Sequence, residues 1–287
     1  MTITVARTRR DVVSVTGPDA AAYLQGQLSQ DVAGLAVGDA APTFVLAPQG
    51  KVDGWGRVHR QAADAFAIDV DAGAGASWEA RLRRFLLRTD AQIEVAADVP
   101  ALEVRGAVPD GALPPLSPAE LGGDLIGWSG EDLPDAVAAD GVEVDAAAAD
   151  AARIRAGVPR WGAEIDEDTI PATLGQWLID ASVSFTKGCY TGQELVARID
   201  SRGGNVPRVL VGVLVDGAVP AVGDPVLVGD QEIGSVTSAA PDPETGGSSG
   251  VGLTFAPRSV AVGAEGTAAT VGGRAARLVP VPITPGG

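Results

Sequence analysis

Cys189 is the only cysteine in 287 residues, and it lies in Lys187-Gly188-Cys189-Tyr190, beside one of two lysines and one of two tyrosines. The chain carries 19 arginines against those two lysines, so a position that keeps lysine asks for a compact, movable ammonium rather than a planar fork. The same reasoning marks Lys51. Thr191-Gly192-Gln193-Glu194 reads as a capping box that opens a helix through Arg198. Cys189 then sits two residues before the N-cap, where the helix dipole and Lys187 both favour thiolate over a thiol whose free pKa is about 8.5. Glu194 works against this if it faces the sulfur. The competing reading of a lone thiol is a small buried core residue. A Cys–His nucleophile system has little support, because the single histidine, His59, falls in a strand-like segment far away in sequence.

The formal charge of −16 and pI near 4.4 oppose direct nucleic-acid binding, which draws on a basic face and counterion release. One cysteine excludes an internal disulfide, a multi-cysteine zinc site and four-thiolate ligation of a cluster within one chain. No apolar run approaches a membrane span, and the N-terminus turns charged at once. The expectation is a cytoplasmic globular protein of two or three packed units.

These residues need elements to hold them. A strand at 12–15 leads through Gly17-Pro18-Asp19 into a helix with Ala20, Leu24 and Leu28 on one face. A second strand at 43–46 turns tightly through Pro48-Gln49-Gly50-Lys51 into a partner at 55–60. Ser77 is expected to cap a helix over 77–88, with Trp78, Leu82, Phe85 and Leu86 inward and Arg81, Arg83, Arg84 and Arg88 largely outward. Residues 98–142 suggest short strands joined by loops. Asp145 starts an alanine-rich helix that Gly157 and Pro159 terminate. Beyond Arg208, runs at 209–215, 225–228, 233–237, 251–255 and 268–271 form a small all-β unit, followed by a frayed tail from Pro280. The division is a body over 1–205 and a barrel over 206–287.

The run Lys187-Gly188-Cys189-Tyr190-Thr191-Gly192-Gln193-Glu194-Leu195-Val196-Ala197-Arg198 resembles the signature of the YgfZ family, folate-binding relatives of the glycine-cleavage T-protein. The likeness extends to Val15-Thr16-Gly17-Pro18-Asp19, Arg84-Phe85-Leu86-Leu87-Arg88, Gly157-Val158-Pro159 and Gly234-Ser235-Val236-Thr237-Ser238. It implies an α+β, T-protein-like body of packed units around a central cavity, closed by a C-terminal β-barrel. It also implies tetrahydrofolate or a derivative as ligand and a role supporting iron–sulfur client enzymes. Lys187 and Cys189 are the residues on which that role would rest. A flat pterin with an anionic tail calls for apolar walls, oriented polar groups and a cation, for which Tyr190, Trp161, Trp177, Gln193, Glu194, Arg198 and Arg202 are candidates. Each tryptophan also has a plain core reading. Gly50-Lys51-Val52-Asp53-Gly54 keeps one of the consecutive aspartates usual in the T-protein, so Asp53 is either that carboxylate or a turn residue. Trp128-Ser129-Gly130-Glu131 faintly echoes the T-protein segment whose glutamate contacts the pterin, making Glu131 a further candidate.

Three functions follow from this reading. The first is a folate-dependent accessory protein for iron–sulfur enzymes. The second is an aminomethyltransferase or demethylase using Asp53 or Glu131, against which the cysteine signature speaks. The third is a non-catalytic tRNA-modification accessory module, whose direct RNA contact the acidity opposes.

Overall fold

A computed structural model describes residues 2–284 except 261 and 264. Its spine is one long strand, β1 (Ile3–Thr16), in which Val5, Val13 and Val15 are wholly buried. Gly17, at φ +123°, makes the turn into α1 (Ala20–Gln27), whose Ala20 and Leu24, with Leu28 just beyond, face the core. The expected hairpin is β2 (Ala40–Leu46) and β3 (Val52–Ala62), extended by β4 (Ala65–Asp71). After α2 (Gly75–Arg83) comes β5 (Gln92–Arg105), then β6 (Gly122–Ile126), the single turn α3 (Asp135–Ala138) and β7 (Gly141–Val144). The sheet runs β2-β3-β4-β1-β5-β6, with β7 pairing parallel to the start of β1. Antiparallel β1 and β5 pair along nearly their whole length, so β5 is a 14-residue strand rather than loop-joined short pieces.

Helix α2 begins at Gly75, two residues before the expected cap. Ser77 instead donates to the Ala74 carbonyl. The capping carboxylate comes from Asp11, at the bulge of β1, which accepts from Gly73 and Gly75 N–H at 3.0 and 2.9 Å. The helix stops at Arg83, before the expected 88, and Arg88 takes φ +55°. Arg81 points inward and is 5% exposed, against the outward placement its charge suggests.

Helix α4 (Ala146–Arg155) is capped by Asp145, which accepts from Ala148 N–H, and ends before Gly157 at φ +68°. A 3₁₀ turn (Pro171–Leu174), α5 (Gln176–Ser182) and α6 (Gln193–Ser201) then cover the outer side of β2 and β3. Phe44, Leu46, Val52, Trp55, Leu174, Leu178, Tyr190 and Val196 form their shared core.

The remaining strands, β8 (Arg208–Val215), β9 (Pro225–Val228), β10 (Gln231–Pro241), β11 (Gly250–Pro257), β12 (Thr267–Val271) and β13 (Arg274–Val279), close a barrel in the order β10-β11-β8-β13-β12-β9. Strand β13 is absent from the five apolar runs of the sequence because Arg274, Ala275, Ala276 and Arg277 carry little strand propensity. Barrel pairing supplies its order. The tail from Pro280 is packed through Ile283, which is buried and whose N–H donates to the Arg155 carbonyl. Residues 285–287 lie outside the described set.

Glu164 joins body to barrel. Its buried carboxylate accepts from Thr237 Oγ1 at 2.7 Å, Ser238 Oγ at 2.6 Å and Arg160 N–H at 3.0 Å, while Arg155 pairs with Asp242 at 2.7 Å.

Candidate functional site

The loop between α5 and α6 is fixed to the carbonyl end of α1 on both sides of Cys189. Ahead of it, the Lys187 ammonium donates to the carbonyls of Gln25, Leu28 and Gln30 at 2.7, 2.7 and 2.8 Å. Behind it, Thr191 N–H donates to the Gly26 carbonyl at 3.0 Å. Between these anchors Gly188 faces open space and Cys189 is exposed, so the thiol is displayed rather than packed as a core residue.

The capping box does not form. The N-cap is Gly192 in the left-handed region at φ +83°, with no side-chain cap. Gln193 reaches back instead, its Oε1 accepting from Tyr190 N–H at 3.1 Å, and Thr191 Oγ1 turns to Gly26. The reason is contact with the β2–β3 turn. A Cβ on Gly192 would meet the Ala47 carbonyl at 2.5 Å, and one on Gly50 would meet Leu195 Cβ at 2.4 Å. Two glycines thus let α6 and the turn touch backbone to backbone.

Tyr190 is buried in the core beneath this loop, with Lys187 Nζ 5.1 Å from its ring centroid, and burial pushes its hydroxyl up to about 12. Burial also brings the Lys187 ammonium down to about 8, opposed by Asp31. Protonated Lys187 at pH 7 fits three acceptors with its three N–H groups. Glu194 lies exposed in the first turn of α6, where a carboxylate suits the dipole. Arg198 and Arg202 are exposed at the other end of that helix.

Asp53 is a strand residue of β3, not a turn residue. Arg81 holds its carboxylate at 2.8 Å and also donates to Gln27 Oε1 at 3.1 Å and to the Leu46 carbonyl at 2.5 Å. Gln27 belongs to the same end of α1 that receives Lys187. The end of α1 is therefore shared by the cysteine loop on one side and by Arg81 and Asp53 on the other. Arg81 was missed in the sequence, where only its place on an arginine-rich helix was visible.

No hydrogen bond or ion pair joins Trp161 or Glu131 to this cluster. The Trp161 main-chain N–H donates to Asp71 of β4, and the residue is 37% exposed. Glu131 is exposed, and its main-chain carbonyl accepts from Arg7 of β1 at 2.6 Å. Beside it, Arg7, Thr8, Arg9, Pro100, Ala101, Trp128 and Ser129 line a cavity of about 260 Å³. The Trp128 indole Nε1 is buried without a hydrogen-bond partner, an uncompensated donor. Trp177 Nε1 is unpartnered as well, but it packs on the core beneath α5.

The sheet between Asp53 and Trp128 carries a buried charge network. Arg57 contacts Asp69 at 2.9 Å and Asp124 at 2.9 Å, Arg10 reaches Asp69 and Asp71, and Arg105 reaches Asp124 and Glu120. Burial works against ionising Asp69, but Arg57 and Arg10 outweigh it and hold the carboxyl below its usual range. Burial raises the Glu103 and Glu120 carboxyls. Among the described residues, no group of three or more His, Cys, Asp or Glu could hold a metal, and no helix is long and apolar enough to cross a membrane.

No protein-family profile matches the chain. It is 30% identical over 274 residues to an aminomethyltransferase of Streptomyces avermitilis, covering 82% of this chain and 73% of that protein. The chain belongs to the aminomethyltransferase superfamily. It is similar to the tRNA-modifying protein YgfZ of Edwardsiella ictaluri, at 29% identity over 67% of this chain and 65% of the relative. It is also 26% identical to the mitochondrial iron–sulfur cluster assembly factor IBA57 homolog of Neurospora crassa, covering 75% of this chain and 54% of that one. The crystal structure of the glycine cleavage system aminomethyltransferase T from Bartonella henselae superposes with a TM-score of 0.78 at 19% identity, covering 99% of this chain and 86% of that chain. That likeness shows the superfamily fold, a curled sheet with a closed six-stranded barrel.

Proposed function

We propose that this member of the superfamily is a tetrahydrofolate-binding accessory protein that supports the assembly or repair of iron–sulfur client enzymes, with Cys189 as its reacting group. The observation that carries the reading is the solvent-displayed thiol, held on both sides by a loop built around the two rare residues Lys187 and Tyr190. The iron–sulfur cluster assembly factor among its relatives supports the client class. Residues 1–205 form the folate-binding body and 206–287 the barrel, and the protein works in the cytoplasm.

The residues present fit a folate in two respects. The cavity at Trp128, about 260 Å³, is just below the range of sites that enclose whole drug-sized ligands, and so suits the flat heterocycle alone. The unpartnered indole N–H matches the polar edge of a pterin, while Arg7 and Arg9 of the lining are already paired with Glu143 and Asp98. When bound, tetrahydrofolate supplies one-carbon chemistry at N5 of its ring and N10 of its linker. Arg81 keeps the Asp53 carboxylate oriented as an acceptor for a cationic or N–H-bearing group.

Anaerobic calorimetry with tetrahydrofolate tests the reading. Saturable binding that Trp128→Phe weakens several-fold supports it, and absence of binding to the wild-type protein refutes it.

The second reading is an aminomethyltransferase, favoured by the Asp53–Arg81 pair and by the relatives of that name. Methylenetetrahydrofolate formed from an aminomethyl donor, and lost in Asp53→Asn, would replace the first reading with this one. Direct tRNA contact, which the name of one relative suggests, is opposed by the charge of −16.

A further inference from the structure

Lysine and cysteine two residues apart invite an activation argument, in which the ammonium lowers the thiol pKa or moves a proton. The geometry assigns the ammonium elsewhere. Its three N–H groups meet three main-chain carbonyls, those of Gln25 in the last turn of α1, Leu28 at its C-cap and Gln30 beyond. An ammonium has three donors and no acceptor, so none remains for the thiol or for a substrate. Carbonyls at a helix C-terminus lack intrahelical donors and carry the negative end of the dipole, which a cation offsets.

The loop is sewn to the same segment by bonds that do not involve Lys187. Ser184 N–H donates to the Ser29 carbonyl, Ser29 Oγ donates to the Ser182 carbonyl at 2.6 Å, and Thr191 N–H donates to Gly26. Gly188-Cys189 stands exposed between the Lys187 and Thr191 anchors. The charged and titratable groups around the ammonium are Asp31 and the Tyr190 ring.

We propose that Lys187 is a positioning residue: its ammonium closes the carbonyl end of α1 and thereby holds Gly188-Cys189 out in solvent, with no part in proton transfer or in activating the thiol. The inference rests on the proposed function only in treating Cys189 as the reacting group, and its tests need no folate. It also accounts for lysine in an arginine-rich chain, because three converging oxygens suit a compact ammonium and not a planar fork.

The chain has only two lysines, so the wild-type protein itself gives a clean test. A short acetylation pulse at pH 8, read by peptide mass spectrometry, compares Lys187 with Lys51. An amine with a lowered pKa that is available for chemistry reacts faster than its exposed neighbour, whereas one locked in a carbonyl cage must first open locally. The expected result is Lys187 labelled at least about tenfold more slowly than Lys51. Equal or faster labelling of Lys187 overturns the proposal.

A second measurement follows iodoacetamide alkylation of Cys189 against pH in the wild-type protein and in Lys187→Met. The expected midpoints agree within about 0.3 unit, while an activating cation at close range would raise the midpoint of the variant by about 1 unit. Deuterium exchange at Ser184 and Thr191 should rise in Lys187→Met and in Lys187→Arg alike. Protection retained in Lys187→Arg, or a raised midpoint in Lys187→Met, sinks the positioning role.

Discussion

Replacing Gly192 with alanine tests whether the cysteine loop is seated against the β2–β3 turn. Two costs add. An L-residue at φ +83° pays about 1–2 kcal/mol for the left-handed conformation. The new methyl would also lie 2.5 Å from the Ala47 carbonyl and 2.7 Å from Leu46 Cβ, and overpacking of that kind costs about 1–3 kcal/mol. The sum is about 2–5 kcal/mol. Gly188→Ala is the matched control four residues away. Its methyl would meet no atom within 4 Å and its φ is not positive, so its effect should stay within about 0.5 kcal/mol. Guanidinium unfolding followed by tryptophan fluorescence reads both, since Trp55 packs in the core under this contact. Gly192→Ala should lower the midpoint clearly with an unchanged slope, and Gly188→Ala should leave it in place. Equal stability of the two variants would mean that α6 does not touch the turn, and the close backbone approach would be wrong.

Arg81→Met removes donors from Asp53, Gln27 and the Leu46 carbonyl together; because Asp53 is 29% exposed and water recovers it, the expected loss is about 2 kcal/mol, measured by denaturant unfolding, with a smaller loss for Asp53→Asn. Asp69→Asn breaks the buried pairs with Arg57 and Arg10 and should cost about 3–5 kcal/mol at pH 7. Because the folded carboxyl of Asp69 sits below its usual range, its contribution is present above the unfolded value of about 3.9 and is lost as pH falls through the lower folded value. The gap between variant and wild type should therefore narrow below about pH 4, while a gap independent of pH would contradict the assignment. Trp128→Phe deletes an indole N–H that has no partner; stability should change by no more than about 1 kcal/mol, while tetrahydrofolate affinity falls roughly five- to tenfold in calorimetry.

Local signals in the sequence singled out the cysteine loop but not the groups that hold it. Residue rarity singled out Cys189, Lys187 and Lys51, and the strand–turn–helix at 12–28, the hairpin at 43–60 and the Asp145 cap all have local causes that the fold preserves. Errors arose where a distant group overrode a local motif. Ser77 has a cap's chemistry, but Asp11 arrives from another strand to cap α2 two residues earlier. Thr191 and Glu194 match a capping box, yet the backbone contact of Gly192 with Ala47 sends the helix start to a left-handed glycine. Arg81 looked solvated because its partners Asp53, Gln27 and Leu46 come from three separate elements. Glu164 carries no local sign of its role, because its bonds to Thr237 and Ser238 span more than 70 residues of sequence.

The same contrast bears on why this chain kept two lysines at all. Lys51 meets a single carboxylate, that of Asp168, end-on at the exposed β2–β3 turn, a contact an arginine could make in two-pronged form. Its Asp166-Glu167-Asp168 surroundings raise its pKa, the direction expected of an exposed ion pair. Lys187 shifts the opposite way because burial dominates. The two lysines are thus separated by environment rather than by type: one is a surface tie between the turn and the 166–170 loop, the other a half-buried closure of α1. Arginine at 51 should be nearly silent in stability and in thiol chemistry, since exposed pairs contribute little. Arginine at 187 should loosen the loop that displays Cys189, raising deuterium exchange at Ser184 and Thr191 while their own bonds remain.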